Sequence, residues 1–594
     1  MIPPERYASL GELLQDALVQ FKTETAVIEW SRKKKVLELS YRDLGFRAAR
    51  LARRFEAAGV GAGDRVAIIL QNQPDYLVAL AALFLRGAVA VPLDYKLTGP
   101  EQETLLGHAK PKVLVTEYAS WRDLGGVQRG EPAVPLTLVL HLPPTAELPG
   151  HAERYEDALG ADDAPGLETP APRLVPRRRS DPATIVYSSG TSGAPKGCVL
   201  THDNYLEQYR TLTKVHPLAV GDRYFSILPT NHAIDFMCGF VGALGCGATV
   251  VHQKSLRPEF IRHVMQKGGI TIMTVVPLIL EAFERTLRER LEERGPTAEH
   301  AVEALARLNG ALTRDVPRRW LSKRLLKPLH DQLGPDLRLL ICGGAFVDRD
   351  RAAFFYDLGI PVVIGYGLTE ACTVLTVNDL KPFRPDSVGR VLEGVELEVR
   401  SAGPDGVGEV WVKSRTVFAG YLDDPEQTAE VLRDGWLRTG DLGRLDPSGH
   451  LHLVGRSKNM IVTAGGKNIY PEDVEVAFEG LACEELAVTA KGFVWPAAAR
   501  LGTETLLLVV RPEADADPDA LLAEIRMRSR RLPEHKRIAD VLFTDVEFPR
   551  TASMKVKRGP LAEALRGAHE AAGSVALERP TPEVPAAREA ATAP

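Results

Sequence analysis

Residues 187–202 read YSSGTSGAPKGCVLTH: three glycines, five serine and threonine hydroxyls and a single lysine. An apolar run, ATIVY at 183–187, precedes the stretch. Behind it Tyr205, Leu206, Tyr209 and Leu212 recur at helical spacing. The pattern predicts a strand, a polar loop and a helix. Glycines let backbone N–H groups turn toward a phosphate, hydroxyls add donors without bulk, and Lys196 supplies a mobile positive charge. The Walker A spacing, G-x-x-x-x-G-K-[ST], does not fit. Lys196 lies between Pro195 and Gly197, and Pro195 has no N–H to offer.

The eleven positions from Tyr187 to Gly197 resemble the [YT]-[ST]-S-G-[ST]-[TS]-G-x-P-K-G loop of the adenylate-forming superfamily: acyl-CoA synthetases, amino-acid adenylation domains and luciferases. The resemblance implies that Ser188, Ser189, Gly190, Thr191, Ser192, Gly193 and Lys196 hold the phosphates of ATP, with Thr191 also beside the metal. Three further stretches follow in the family's order. ICGGAFVDRD and VVIGYGLTE, within 341–370, are strand-like runs ending in glycine-rich turns, and parallel α/β sheets bind ligands outside the carboxyl ends of their strands. The resemblance places adenine against Gly343, Gly344, Ala345, Tyr366 and Gly367, a phosphate on Thr369, and Mg²⁺, a hard cation suited to carboxylate oxygen, on Glu370.

The segment GWLRTGDLGRLDPSGHLHLVGRSKNMIVTAGGKNIYPEDVE, 435–475, is similar to the family's R-T-G-D and G-R-x-[DK] motifs. These assign Asp441 to the ribose, Arg456 to ribose or phosphate, and Lys458 to a hinge, with Gly465 and Gly466 passing the pantetheine arm of coenzyme A. PRTASMKVKR, 549–558, matches P-x-T-x-x-G-K-x-x-R except that Met554 replaces the glycine, and it makes Lys555 the lysine that enters the site during acid activation. ILPTNHAIDFMCGF, 227–240, resembles L-P-x-x-H and puts His232 at the substrate carboxylate. Asp235 stands one position from the aspartate that grips the amino group in amino-acid adenylation domains. Val276, Pro277, Ile364 and Gly365 are the expected walls of an unobstructed apolar acyl pocket.

At 594 residues the chain exceeds one core, and 45% apolar with 25% charged residues is a globular composition. A net charge of −5 argues against a general nucleic-acid binder. Six cysteines without C-x-x-C or metal-ligand spacing are expected to be reduced thiols of a cytoplasmic enzyme. No secretory signal opens the chain, and the run 234–251 is read as a buried helix and strand instead of a membrane span. Residues 36–117 alternate β and α patterns, with helices from 41 and 75 and strands at 65, 88–92 and 113–116, and predict a mostly parallel sheet. Residues 119–182, with Arg177, Arg178 and Arg179, are expected to form a solvated surface excursion. The expected fold is α/β: a large N-terminal domain, 1–457, of several subdomains with a helical insertion at 281–335, a hinge, and a small mobile α+β domain, 458–570, ahead of a disordered tail, 571–594.

The resemblance, nearest to AMP-forming fatty acyl-CoA synthetases, implies activation of a medium- or long-chain fatty acid by ATP and Mg²⁺, then transfer to coenzyme A. Transfer to an acyl-carrier protein, or a non-catalytic binding module, is the alternative. RDVPRRWLSKRLLKPLH, 314–330, is basic and amphipathic and is a candidate peripheral contact with the inner membrane surface.

Overall fold

A computed structural model describes residues 3–124, 134–160, 174–188, 195–313, 316–344, 347–462, 468–496, 505–550 and 556–577. The chain divides into a large unit through Leu453 and a small unit beginning at Val454. The division falls four residues before the expected hinge.

The large unit is built on two sheets of mainly parallel strands. In the nine-stranded sheet the central strands run Val362–Tyr366, Leu339–Gly343, Ile272–Val275, Arg223–Ser226, Thr249–Gln253 and Thr25–Ser31, all parallel. Their carboxyl ends therefore share one edge. In the eight-stranded sheet Pro182–Ser188, Val89–Pro92, Arg65–Ile69, Val113–Glu117 and Leu136–Leu140 are parallel neighbours. Strands buried on both faces need continuous apolar runs, and Val66–Ile69 and Val113–Val115 are almost wholly sequestered. Helix Pro74–Leu85, PDYLVALAALFL, is apolar nearly all round and is buried along its length except for Asp75. Helix Tyr41–Ala57 starts on a capping box, Ser40 with Asp43.

Several expectations are corrected. Leu136–Leu140 and Ala152–Arg154 extend the eight-stranded sheet, so part of the predicted excursion is core: LTLVL is apolar enough to pair despite the prolines that flank it. Arg179 is not solvated. It donates to the Tyr7 and Pro4 carbonyls and to Asp203, tying the N-terminus to helix His202–Val215. In the 314–330 segment Leu326 and Leu329 are buried in a cluster that Leu325 packs against, leaving Trp320, 70% exposed, as the outward aromatic. No helix among the described residues is long and apolar enough to cross a membrane.

The small unit carries a four-stranded sheet, Cys483–Ala490, Leu506–Pro512, Asp540–Phe543 and Val575–Ala576. Leu506, Leu508 and Val510 face one apolar cluster and Leu507 and Val509 the other, the alternation of a sheet covered on both sides. The strand at 575 lies within the predicted tail, so order persists to Leu577, a buried side chain.

Candidate active site

The polar loop does not run into the helix. Pro182–Ser188 and Lys196–Thr201 pair antiparallel, Ser188 opposite Lys196, so residues 189–194, outside the described set, join two strands. The apolar residues of CVLT form a second strand before the helix can start. Helix His202–Val215 is capped by its own sequence: the Thr201 hydroxyl accepts from Asn204 N–H at 3.3 Å, and Asn204 Oδ1 accepts from Thr201 N–H at 2.7 Å. Ser189, Gly190, Thr191, Ser192 and Gly193 fall in the undescribed loop. Ser188 and Lys196 stand at its two shoulders.

Gly420–Tyr421 pairs with Val199 and Cys198 on the outer side of that hairpin. This pairing sets the Lys196 ammonium 5.9 Å from the centre of the Tyr421 ring, within cation–π range. The Tyr421 hydroxyl donates to Glu370 Oε1 at 2.9 Å, and Phe418 N–H donates to the Glu370 carbonyl at 2.8 Å. Burial, reinforced by the Glu370 charge, pushes the Tyr421 phenol far above its ordinary value, so it remains a donor. Glu370 Oε2 meets no donor among the described residues. Thr369 shares the short turn Thr369–Ala371 with it.

Four residues earlier, Tyr366 ends its strand and donates its hydroxyl to Asp441 Oδ2 at 2.8 Å. Asp441 lies on Trp436–Leu445 and is 7% exposed. The glycines serve different needs. A Cβ at Gly367 would sit 1.8 Å from the Thr373 carbonyl oxygen, a close approach that excludes any side chain. At Gly344 a Cβ would meet nothing within 4 Å among the described residues, and its φ of +86° is one that side chains rarely adopt. Gly343 pairs with Gly365, and Ala345 lies outside the described residues.

The segment after Ser226 reaches the same edge. The Thr373 hydroxyl donates to the Ala233 carbonyl at 3.1 Å, and Ile234 Cδ1 stands 3.6 Å from the Cβ direction of Gly343. His232 Nε2 is buried with no partner among the described residues, and burial pushes the imidazole below its ordinary value, keeping it neutral at pH 7. Asp235, 1% exposed, accepts from Tyr224 at 2.8 Å, Ser226 at 2.8 Å and Thr230 at 2.9 Å. A carboxylate that already accepts three hydroxyls has little capacity left for a substrate amine. It opens the π-helical turn Phe236–Gly242, which continues into the buried strand Thr249–Gln253.

Of the expected acyl walls, Val276 and Ile364 are buried at 6% and 4% exposure, and Ile364 packs in a cluster with Val275 and Leu280. Pro277 is the first residue of helix Pro277–Glu292. A Cβ at Gly365 would make only ordinary 3.7 Å contacts, with Thr376 and Val374. In the small unit, Arg456 closes the strand Leu451–Arg456 and Lys458 stands in the turn Ser457–Asn459. Gly465, Gly466 and Lys555 fall outside the described residues. Arg558 is internal scaffolding of that unit, donating to Glu475 at 2.8 Å and to the Val488 carbonyl.

The large unit thus brings Lys196, Glu370, Tyr366, Asp441, Gly343 and the His232 segment into one chain of contacts. Tyr421 was missed by sequence reasoning, because only strand pairing across the fold brings it to Glu370.

The profile of the AMP-binding enzyme family matches residues 14–422. The chain is 32% identical over 529 residues to a feruloyl-CoA synthase of Amycolatopsis, covering 88% of this chain and 93% of that one. It is 29% identical over 541 residues to the long-chain-fatty-acid–CoA ligase FadD15 of Mycobacterium bovis, covering 85% and 87%. The solved structure of the anthranilate CoA ligase AuaEII in complex with anthranoyl-AMP superposes with a TM-score of 0.74 at 20% identity, covering 95% of this chain and 98% of that one.

Proposed function

Because the chain belongs to the AMP-binding enzyme family, we propose that it activates an apolar carboxylic acid as acyl-AMP and passes the acyl group to coenzyme A. The observation that carries the reading is the corner formed by Lys196, Tyr421 and Glu370 beside the Tyr366–Asp441 pair. It combines a cation, a carboxylate oxygen without a donor among the described residues, and an aromatic ring joined to an acid.

A carboxylate resists nucleophiles because it is anionic and its leaving group is oxide. Joining it to the α-phosphate of ATP, with loss of pyrophosphate, makes a mixed anhydride from which AMP leaves readily. Lys196 and the 188–193 loop hold the outgoing phosphates. Glu370 Oε2 suits a Mg²⁺ ion carried by those phosphates, which supplies charge neutralisation when bound. Tyr366 and Asp441 orient the nucleoside. Neutral His232 directs an imidazole N–H at the acid, and Lys555 bridges carboxylate and α-phosphate, so positioning and electrostatics carry the rate. Rotation at Lys458 then withdraws Lys555 and brings Gly465 and Gly466 to the pantetheine thiol.

A medium- or long-chain fatty acid is the proposed substrate: Gly365 offers no side chain to block an acyl chain, and the commitment of Asp235 to three hydroxyls counts against an amino acid. An arylpropenoic acid is the second reading, favoured by the 32% identity to a feruloyl-CoA synthase. Pyrophosphate release across fatty and aromatic acids, with coenzyme A or a carrier-protein thiol as acceptor, separates these readings. Lys555→Ala is expected to lose acyl-AMP formation by about 10²–10³-fold yet still convert supplied acyl-AMP to thioester; equal loss of both steps rejects the mechanism. Contact with an anionic membrane is supported by exposed Trp320 beside exposed Arg318 and Arg324. Reversing both charges is expected to weaken vesicle co-sedimentation.

A further inference from the structure

We propose that Asn72 is a positioning residue for adenylation: its side-chain amide holds the segment that carries His232 in register with the phosphate loop, an inference that rests on the proposed function. Asn72 follows the strand Arg65–Ile69 of the eight-stranded sheet and precedes helix Pro74–Leu85. The phosphate loop leaves the same edge of that sheet, because Arg65–Ile69, Val89–Pro92 and Pro182–Ser188 are successive parallel strands. The His232 segment belongs to the other sheet, where it follows Arg223–Ser226. An acid at His232 and the phosphates at Lys196 are thus held by different sheets, and their reaction depends on what fixes one sheet against the other.

The segment does not fix itself. Past Ser226 it leaves the sheet ladder, Pro229 has no N–H, and the backbone bond within 227–232 runs from His232 N–H to the Pro229 carbonyl at 3.0 Å. Asn72 supplies what is missing. Its Nδ2 donates to the Leu228 carbonyl at 2.6 Å and to the Ser226 hydroxyl at 2.8 Å, and its Oδ1 accepts from Thr230 N–H at 2.9 Å. Among the described residues neither backbone group has another partner. In a parallel ladder one residue donates to the carbonyl before its neighbour and accepts from the N–H after it. The Asn72 amide does the same on either side of Pro229, so it takes the place of a parallel strand.

The clamp continues into the buried acid: Ser226 donates onward to Asp235 Oδ2 at 2.8 Å, and the Thr230 hydroxyl donates to the same oxygen at 2.9 Å. Asp235 ties together residues of its own sheet, whereas Asn72 crosses between sheets. In that respect its counterpart is Tyr421, which crosses from the eight-stranded sheet to Glu370.

The test follows Asn72→Ala and Asn72→Asp in the full-length enzyme through both half-reactions. Asn72→Ala is expected to slow pyrophosphate release at saturating ATP and acid by about tenfold to hundredfold and to leave KM for ATP within about twofold. Thioester formation from supplied acyl-AMP should stay within about threefold, since that step no longer joins groups held by the two sheets. Asn72→Asp is isosteric and keeps the acceptor, but its carboxylate has no donor for the Leu228 carbonyl until it takes up a proton. Burial beside Asp235 favours the protonated form, so the rate of this variant relative to the unmodified enzyme should rise about fivefold or more from about pH 8 to about pH 6. Asp75, Glu117, His141, His232 and Asp235 are the titratable groups set around the clamp, and being present in both proteins they cancel from that ratio. Equal losses in the two half-reactions, or an Asn72→Asp ratio that is flat with pH, overturn the assignment; if Asn72→Ala does not fold, the Asn72→Asp profile decides. An unmodified enzyme that releases no pyrophosphate with any acid removes the proposed function and this role with it. Normal release that both variants match removes the role of Asn72 alone.

Discussion

Asp235 and Glu370 are two carboxylates in the large unit with opposite employment. Asp235 is 1% exposed and receives three side-chain hydroxyls. Glu370 is half-buried, receives one hydroxyl on Oε1 and leaves Oε2 without a donor among the described residues. A buried anion is tolerable when its lone pairs are satisfied, and a satisfied anion has little left for a ligand. The difference separates an acid that fixes the fold of its segment from one available for chemistry. It also explains why the more deeply buried acid is the weaker catalytic candidate, although perturbed groups often mark sites.

The comparison breaks first at Glu370. Glu370→Gln keeps the shape and the acceptor for Tyr421 but removes the charge offered to a cation and phosphates. Pyrophosphate release at saturating ATP and acid is expected to fall by about 10²–10³-fold, with the melting temperature unchanged. A variant retaining a third of the activity would put Glu370 in the same class as Asp235.

Asp235 should show the reverse pattern. Burial holds its carboxyl at about 6, against the ordinary carboxylate range near 4. The native state therefore binds more protons than the unfolded chain between about pH 4 and pH 6, and in that window stability falls as pH rises; above it the contribution is level. Asp235→Asn abolishes that titration. Relative to the variant, the wild-type protein is expected to lose on the order of 2 kcal/mol of unfolding free energy from pH 4 to pH 6, measured by denaturant titration. Adenylation at pH 7 should change by less than about tenfold, since the side chain bears on substrate only through the segment that it braces. Parallel stability curves, or a loss of activity as large as that of Glu370→Gln, would collapse the distinction.

The two acids also differ in how far they could be read in advance. Glu370, Lys196, Tyr366 and Asp441 stand in glycine-punctuated motifs whose order marks them as candidates, and the helix starting at Tyr41 is legible from its period. Asp235 also lies in the expected segment, but one position away from the aspartate that grips an amino group, and its three hydroxyl partners agree with that displacement. Its partners Tyr224, Ser226 and Thr230 lie within eleven residues, but they stand on the strand Arg223–Ser226 and in the loop after it, so only the fold turns them toward the short helical turn Ala233–Asp235. The strand Leu136–Leu140 hid among prolines. The second strand of the 187–202 hairpin reads in sequence as the approach to a helix, because a short apolar run does not by itself distinguish the two. Tyr421 could not be found locally at all: it reaches Glu370 only because Gly420–Tyr421 pairs with Cys198–Val199, more than two hundred positions earlier.

That long-range pairing supplies the smallest and most discriminating expectation. If Glu370 acts through the oxygen that Tyr421 leaves open, Tyr421 orients the carboxylate without entering the reaction. Tyr421→Phe removes one hydrogen bond to a charged group, an effect of about 1–2 kcal/mol, and preserves the ring beneath Lys196. Pyrophosphate release should fall by roughly tenfold, well short of the Glu370→Gln loss, and rising Mg²⁺ should recover part of it because the carboxylate is intact but less fixed. In Glu370→Gln the added Tyr421→Phe change should cost almost nothing, since there is no charge left to orient. Additive losses would mean that Tyr421 contributes to the reaction by its own contact. The corner would then be a pair of independent groups, unlike the single braced acid at Asp235.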